Sequence, residues 1–197
     1  MAQVTGLHPE RRDRVRVELD GAPWRTLPAG AVVSARLMVG VELDRPRARE
    51  LAQAIRRAEA LGAATRALAR RDRSVVGLAE YLARRGVGRA EREQAVERLG
   101  AIGYLDDARF AIGRARSLAE RGYGDDAVRF ELEREGVAVE DSEAAVAALA
   151  AERERALSVL RGSRSALAGI RKLAAKGFSA DSIEAAAAEA RLDLSAD

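Results

Sequence analysis

Three glycines, Gly86, Gly136 and Gly177, occupy equivalent points of one repeated pattern, and that pattern restricts the chain to stacked short helices. Four residues before each glycine lies a leucine: Leu82, Leu132 or Leu173. One residue after it lies Val87, Val137 or Phe178. Ala95, Val96 and Leu99 then match Ala145, Val146 and Leu149, and again Ala186, Ala187 and Ala190. Twelve residues before the glycines stand Ser74, Gly124 and Ser165, all suited to an N-cap. Leu68, Leu118 and Val159 precede them by six more. The pattern predicts a helix, a capped second helix ending at the glycine, an apolar plug, and a third helix. Each such unit needs a neighbour to cover its apolar face, so the units build a core by stacking. The glycine spacings are unequal, which indicates a divergent triplication. No breaker lies between Ser142 and Arg161, so the last helix of unit two is expected to run into unit three.

Composition agrees with helices packed through small side chains. The chain has 197 residues, of which 43 are alanine and only 4% are aromatic. The first sixty residues differ. Val15, Val17 and Leu19 alternate with Arg14, Arg16 and Glu18, and Asp20-Gly21-Ala22-Pro23 is turn chemistry. Trp24 to Leu27 can return as a second strand. Val32 to Leu43 reads as a short helix followed by an extended piece. Asp44 and Pro46 then open a helix with Leu51, Ile55 and Ala58 on one face. The expected fold is mostly α: tandem three-helix repeats in an elongated array after a small module with a β-hairpin. The expected segments are 1–60 for the module and 62–103, 104–150 and 151–197 for the three repeats.

Residues 103–124, GYLDDARFAIGRARSLAERGYG, place one helix between glycine stops at Gly103 and Gly122. Asp106 reads as its N-cap, with Asp107 adding charge at the positive end of the helix dipole. Ala108, Ala111, Ile112, Ala115, Leu118 and Ala119 form its apolar stripe, and Gly113 interrupts the helix. These words, with Arg121-Gly122-Tyr123-Gly124 and then Val128, Arg129, Glu131-Leu132 and Gly136-Val137, resemble the signature of the RecX family, regulators of the RecA recombinase. Val17-Glu18-Leu19-Asp20-Gly21 is similar to the entry segment of its longer members. The resemblance implies tandem three-helix repeats and regulation without catalysis or cofactor. It also implies binding to RecA and its filament on single-stranded DNA, with restraint of strand exchange and ATP hydrolysis, and so a role in regulating DNA repair. Gly103, Tyr104, Asp106, Asp107, Arg109, Phe110, Gly122 and Gly124 are the motif positions, and their expected roles are structural.

The chemistry of enzymes finds little material. There is no cysteine and one histidine, His8, in a segment expected to be mobile. Asp106-Asp107 and Asp125-Asp126 each precede a helix and read as caps rather than metal ligands. Gly122-Tyr123-Gly124 follows a helix and lacks the lysine of a phosphate loop. No apolar run reaches the ~20 residues of a membrane span, so a cytoplasmic protein is expected. The aromatic residues Tyr81, Tyr104, Tyr123, Phe110, Phe130 and Phe178 are expected to pack as plugs at helix ends.

Charge is more informative. Net charge is +3, but 32 of the 34 basic residues are arginine, whose planar fork suits carboxylates and phosphates. Residues 62–89 carry a net +5, residues 125–156 a net −6, and residues 157–178 a net +5. The candidate partner or nucleic-acid contacts are therefore Arg70, Arg71, Arg73, Arg84 and Arg85 in the first unit and Arg171, Lys172 and Lys176 in the third. Phosphates reward such charge without regard to base sequence, so single- or double-stranded DNA is a further candidate partner. A helix-turn-helix can be drawn across Ser74–Leu99, but the same pattern recurs in the acidic second unit. The alternative function is a general DNA-binding or scaffold protein independent of RecA. A monomer is expected.

Overall fold

The computed structural model describes residues 2–194, and side chains through residue 190. The chain opens with β1 (Ala2–Glu10), β2 (Arg14–Leu19) and β3 (Ala22–Pro28), then α1 (Ala29–Ser34), β4 (Glu42–Leu43) and α2 (Arg45–Leu68). The strands form one antiparallel sheet in the order β3-β2-β1-β4. The expected hairpin is β2–β3, and its turn puts Asp20 and Gly21 at φ +50° and +81°. Positive φ at both central residues matches the right-handed twist of the strands, which is why Asp-Gly is favoured there.

The first strand corrects the sequence reading. The N-terminus is not a loose tail: β1 is an inner strand, and His8 lies 3.1 Å from the Glu18 carboxylate across the ladder. Its alternation is broken by Gly6, where the register shifts and a Cβ would fall 2.5 Å from a Glu18 oxygen. With no side chain to add to the alternation, Gly6 hides the strand from its period-2 pattern. Val4, Val17, Leu27, Ala31, Val32, Leu37, Leu51 and Ile55 form the core of this region.

Helix α2 starts at Asp44, whose carboxylate accepts the Arg47 N–H at 2.8 Å. Leu51 and Ile55 serve the sheet core, while Ala60, Ala64 and Ala67 are buried further along. Gly62 lies inside the helix. One interior glycine costs about 1 kcal/mol relative to alanine, too little to stop a helix anchored on both sides. The remaining elements are α3 (Val75–Arg84), α4 (Arg89–Ala101), α5 (Asp107–Glu120), α6 (Asp125–Arg134), α7 (Val139–Ala147), α8 (Glu152–Arg161), α9 (Ala166–Ala175) and α10 (Ala180–Leu194). Two compact units result. One comprises the chain to Arg71 with Leu78–Ile102; the other comprises Asp72–Gly77 and the chain from Gly103 onward.

The repeat glycines do what their positions predict. Gly86, Gly136 and Gly177 have φ of +76°, +76° and +73°. After each, the apolar residue donates its N–H back to the leucine carbonyl: Val87 to Leu82 at 3.1 Å, Val137 to Leu132 at 3.0 Å, Phe178 to Leu173 at 3.2 Å. This is the Schellman arrangement, which satisfies carbonyls left open at a helix C-terminus. Gly122 ends α5 in the same way, with Tyr123 donating to Leu118 at 3.1 Å. Within the second unit, α5, α6 and α7 pack around Ala111, Ala115, Leu118, Val128, Leu132 and Val146. The last three helices pack around Ala156, Leu157, Leu160, Leu173, Phe178 and Ala186.

Three further expectations are corrected. Helix α7 does not run into unit three: it ends at Ala147, and α8 begins at Glu152. No breaker residue stops it. At the break, Arg155 on the first turn of α8 donates back to the Ala150 carbonyl at 3.1 Å, and Glu152 reaches two helix starts elsewhere in the chain. Gly113 does not interrupt α5, which runs unbroken past it with open space where a Cβ would stand. Phe130 and Tyr104 are not buried plugs: they are 62% and 45% exposed, whereas Phe178 is buried as expected.

Candidate partner interface

The motif residues lie at seams where the start of one helix meets the turn of a later repeat. In the first seam, the start of α3 meets the turn at Gly136. Ser74 is buried; its hydroxyl accepts the Gly77 N–H at 3.0 Å and donates to the Glu135 carbonyl. Val75 donates its N–H to Asp107 at 2.7 Å. Burial pushes the Asp107 carboxyl above its usual range, against the pull of that N–H. Val76 covers Gly136 so closely that a Cβ there would lie 2.5 Å from it. Asp106 caps α5 by accepting the Arg109 N–H at 2.9 Å, and Arg109 returns to the carbonyls of Gly103 and Tyr104. These acids and Arg109 are therefore occupied in holding helix ends.

The second seam joins the start of α6 to the turn at Gly177. Gly124 donates its N–H to the Lys176 carbonyl at 2.9 Å, and Asp126 donates to the Gly177 carbonyl at 3.2 Å. A Cβ on Gly124 would lie 2.2 Å from the Gly177 oxygen, so only glycine permits this approach. Lys176 rests its ammonium over the Tyr123 ring at 3.8 Å, a cation–π contact. Beneath lies a charged network. Arg155 pairs with the Asp125 carboxylate, donates to the Tyr123 carbonyl at 2.8 Å, and faces the Phe178 ring. Glu152 accepts the Asp125 N–H at 2.6 Å, and its other oxygen accepts both the N–H and the hydroxyl of Ser179.

Burial shifts the two acids of this network differently. For Asp125 burial dominates and raises the carboxyl, even with Arg155 beside it. For Glu152 burial also pulls upward, but the bonds donated by Ser179 and Asp125 together outweigh it and hold the carboxyl low. Sequence reading missed Glu152 and Arg155. Their only local signal is a Glu and an Arg three apart at a helix start, a pair with many ordinary surface examples.

The candidate contact residues are mostly outside these seams. Arg70 and Arg71 are exposed just beyond α2. Arg84 and Arg85 are exposed on the last turn of α3; Arg84 lies 3.4 Å from Glu80, and Arg85 donates to the Tyr81 hydroxyl at 3.1 Å and faces its ring. Arg171 and Lys172 are exposed on α9. Arg73 is half-buried at the first seam. Lys176 is engaged on Tyr123. Exposed guanidinium groups of this kind can bind carboxylates or phosphates through paired N–H donors. Among the described residues no cluster of His, Asp and Glu is arranged to hold a metal ion.

A strand module followed by three-helix repeats that close on left-handed glycine turns defines a class of tandem-repeat, mostly helical proteins. The model of the first three-helix domain of RecX matches residues 60–99, and that of the second matches residues 106–146. The "Regulatory protein RecX" of Halorhodospira halophila is 39% identical over 141 residues, covering 66% of this chain and 88% of that protein. The chain belongs to the RecX family. The regulatory protein RecX of Xanthomonas campestris is 41% identical over 83 residues, 42% of this chain and 49% of its own length. A crystal structure of regulatory protein RecX shares the fold with a TM-score of 0.78 at 21% identity, covering 93% of this chain and 98% of that one. That of RecX from Lactobacillus salivarius has a TM-score of 0.62 at 17% identity, over 70% and 97% of the two chains.

Proposed function

We propose that this protein binds RecA and its filament on single-stranded DNA and restrains strand exchange and ATP hydrolysis, acting as a non-catalytic regulator of DNA repair. The observation that carries this reading is the placing of charge. The exposed basic residues Arg70, Arg71, Arg84 and Arg85 lie in repeat one, and Arg171 and Lys172 lie in repeat three. Several acids of the second repeat cap helices or pair with arginines, as Asp125 does with Arg155 and Glu143 with Arg129. A protein filament wrapped on nucleic acid offers acidic protein surface and phosphate side by side, and the exposed basic groups suit both. Membership of a family of regulatory proteins supports the same reading. In it the module and three repeats form the working segments, the protein is a cytoplasmic monomer, and no cofactor takes part. No helix among the described residues is long and apolar enough to cross a membrane.

The test is inhibition of the ATPase and strand-exchange activities of RecA from the same organism by substoichiometric protein. Inhibition supports the reading. Tight, steeply salt-dependent binding to bare single-stranded DNA with no effect on RecA would favour a RecA-independent DNA-binding protein instead.

A further inference from the structure

The two seams show what a repeat turn is built to receive. At both, the backbone carbonyl just before the glycine accepts a hydrogen bond from the start of another helix: Glu135 from Ser74, Lys176 from Gly124. At both, a small N-cap residue lets the helix start reach the turn, and the apolar plug is covered. Val137 and Phe178 are each 6% exposed.

The turn of the first repeat has the same internal geometry and none of the cover. Gly86 has φ +76° and the same return bond from Val87 to Leu82. Nothing lies within 4 Å of where its Cβ would stand. Arg85 and Gly86 are exposed, and Val87 is less covered than its two counterparts. Among the described residues no backbone N–H donates to the Arg85 or Gly86 carbonyl. The turn is an open socket.

Charge identifies the occupant. The basic turn at Lys176 receives a helix that begins Gly124-Asp125-Asp126, with Tyr123 just ahead to take the lysine on its ring. The open turn is likewise basic, Arg84-Arg85-Gly86. Among the chain's own helix starts, those of α3 and α6 are already seated, and the start at Ser165 follows Arg164 with no acid from Ser163 to Ala175. The start of α7, Ala138 with Glu140 and Asp141, carries suitable chemistry, so a crosslink from this turn to residues 138–141 of another copy would overturn the assignment to the partner protein.

We propose that the Arg85–Gly86–Val87 turn is a docking socket for the N-terminus of a helix on the partner protein, one with a small N-cap residue and acids in its first turn. Such a start offers free N–H groups to the Arg85 and Gly86 carbonyls, and its acids meet the Arg84 and Arg85 guanidinium groups. This rests on the reading of the chain as a RecA-binding regulator, and it names the element that the partner presents.

The experiment places a photo-crosslinking amino acid at position 87 of the full chain, with position 24 as a control. The chain is bound to purified RecA filaments on single-stranded DNA, and the crosslinked segment is mapped by mass spectrometry. Co-sedimentation of an Arg84→Glu/Arg85→Glu variant is measured in parallel, with circular dichroism to verify its helix content. The expected result is a position-87 crosslink to a RecA helix start bearing Asp or Glu in its first turn, and at least tenfold weaker binding of the variant. A crosslink to DNA, a crosslink to a segment without such a start, or a variant that folds and binds like the parent overturns the socket while leaving RecA binding intact. A parent chain that does not bind the filament at all overturns both.

Discussion

The two seams solve one geometric problem with different chemistry. At the first, Ser74 bridges the gap to Glu135 with a hydroxyl, so the helix start stands off by one side-chain bond. At the second, Gly124 removes the side chain, and backbone meets backbone at Gly177. The closer approach brings the N-termini of α6 and α10 to a single carboxylate, Glu152, whereas its counterpart at the first seam, Asp107, accepts the one N–H of Val75. The same slot in the repeat thus tolerates a polar side chain in one place and excludes every side chain in the other. The difference teaches that Gly124 is a motif residue through close packing, and Ser74 through capping.

Substitutions separate the two. Gly124→Ala is expected to have the largest effect, a loss of about 3 kcal/mol in urea unfolding, because the added carbon overlaps backbone that has no rotamer to move. A loss under 1 kcal/mol would show that the second seam yields as readily as the first. Glu152→Gln follows, at about 1–3 kcal/mol, since the Asp125 and Ser179 N–H groups exchange a charged acceptor for a neutral one or none.

The Glu152 effect should depend on pH with a defined sign. Its carboxyl lies below the usual value when folded, so its contribution is present above the unfolded value of about 4.3 and is lost as pH falls through the lower folded value. Asp125, raised by burial, acts in the opposite sense, losing stability as pH rises through its range. The difference between parent and Glu152→Gln across pH 2–6 reports the Glu152 charge together with its coupling to Asp125, and it should shrink toward the acid end. A constant difference would mean that the network does not depend on that charge.

Ser74→Ala should cost about 1–2 kcal/mol, the usual value of an N-cap plus one buried carbonyl left without its donor. The smallest effect is a gain. Gly113→Ala should stabilise by about 0.5–1 kcal/mol, because α5 passes through it in open space and glycine there only loosens the helix. A destabilised Gly113→Ala would imply a close approach at that point.

What could be read from the chain, and what could not, follows the range of the interactions. The Schellman turns, the Asp106 and Asp44 caps, and the Asp20-Gly21 hairpin each close within six residues, so their signals stand in adjacent letters. The inner strand β1 was hidden because Gly6, at its register shift, erases the alternation. The break between α7 and α8 was hidden for another reason. The contacts at it are made by Arg155 and by a glutamate bonded to residues twenty-seven positions away on either side, and an alanine-rich stretch carries no trace of such contacts. The family motif was legible as a motif; that its acids cap helices was partly legible, and that Gly124 meets Gly177 was not. Charge clustering singled out Lys176 along with its neighbours, whereas its ammonium sits on Tyr123 at a seam.

The central claim, regulation through exposed basic groups in repeat one, is tested most directly by RecA ATPase inhibition at substoichiometric protein. The parent is compared with the Arg70→Ala/Arg71→Ala/Arg84→Ala/Arg85→Ala variant, in which the half-buried Arg73 is left in place. The expected result is inhibition by the parent and at least a tenfold higher concentration of the variant for the same effect, with unchanged thermal unfolding. Equal inhibition by a folded variant would contradict the account.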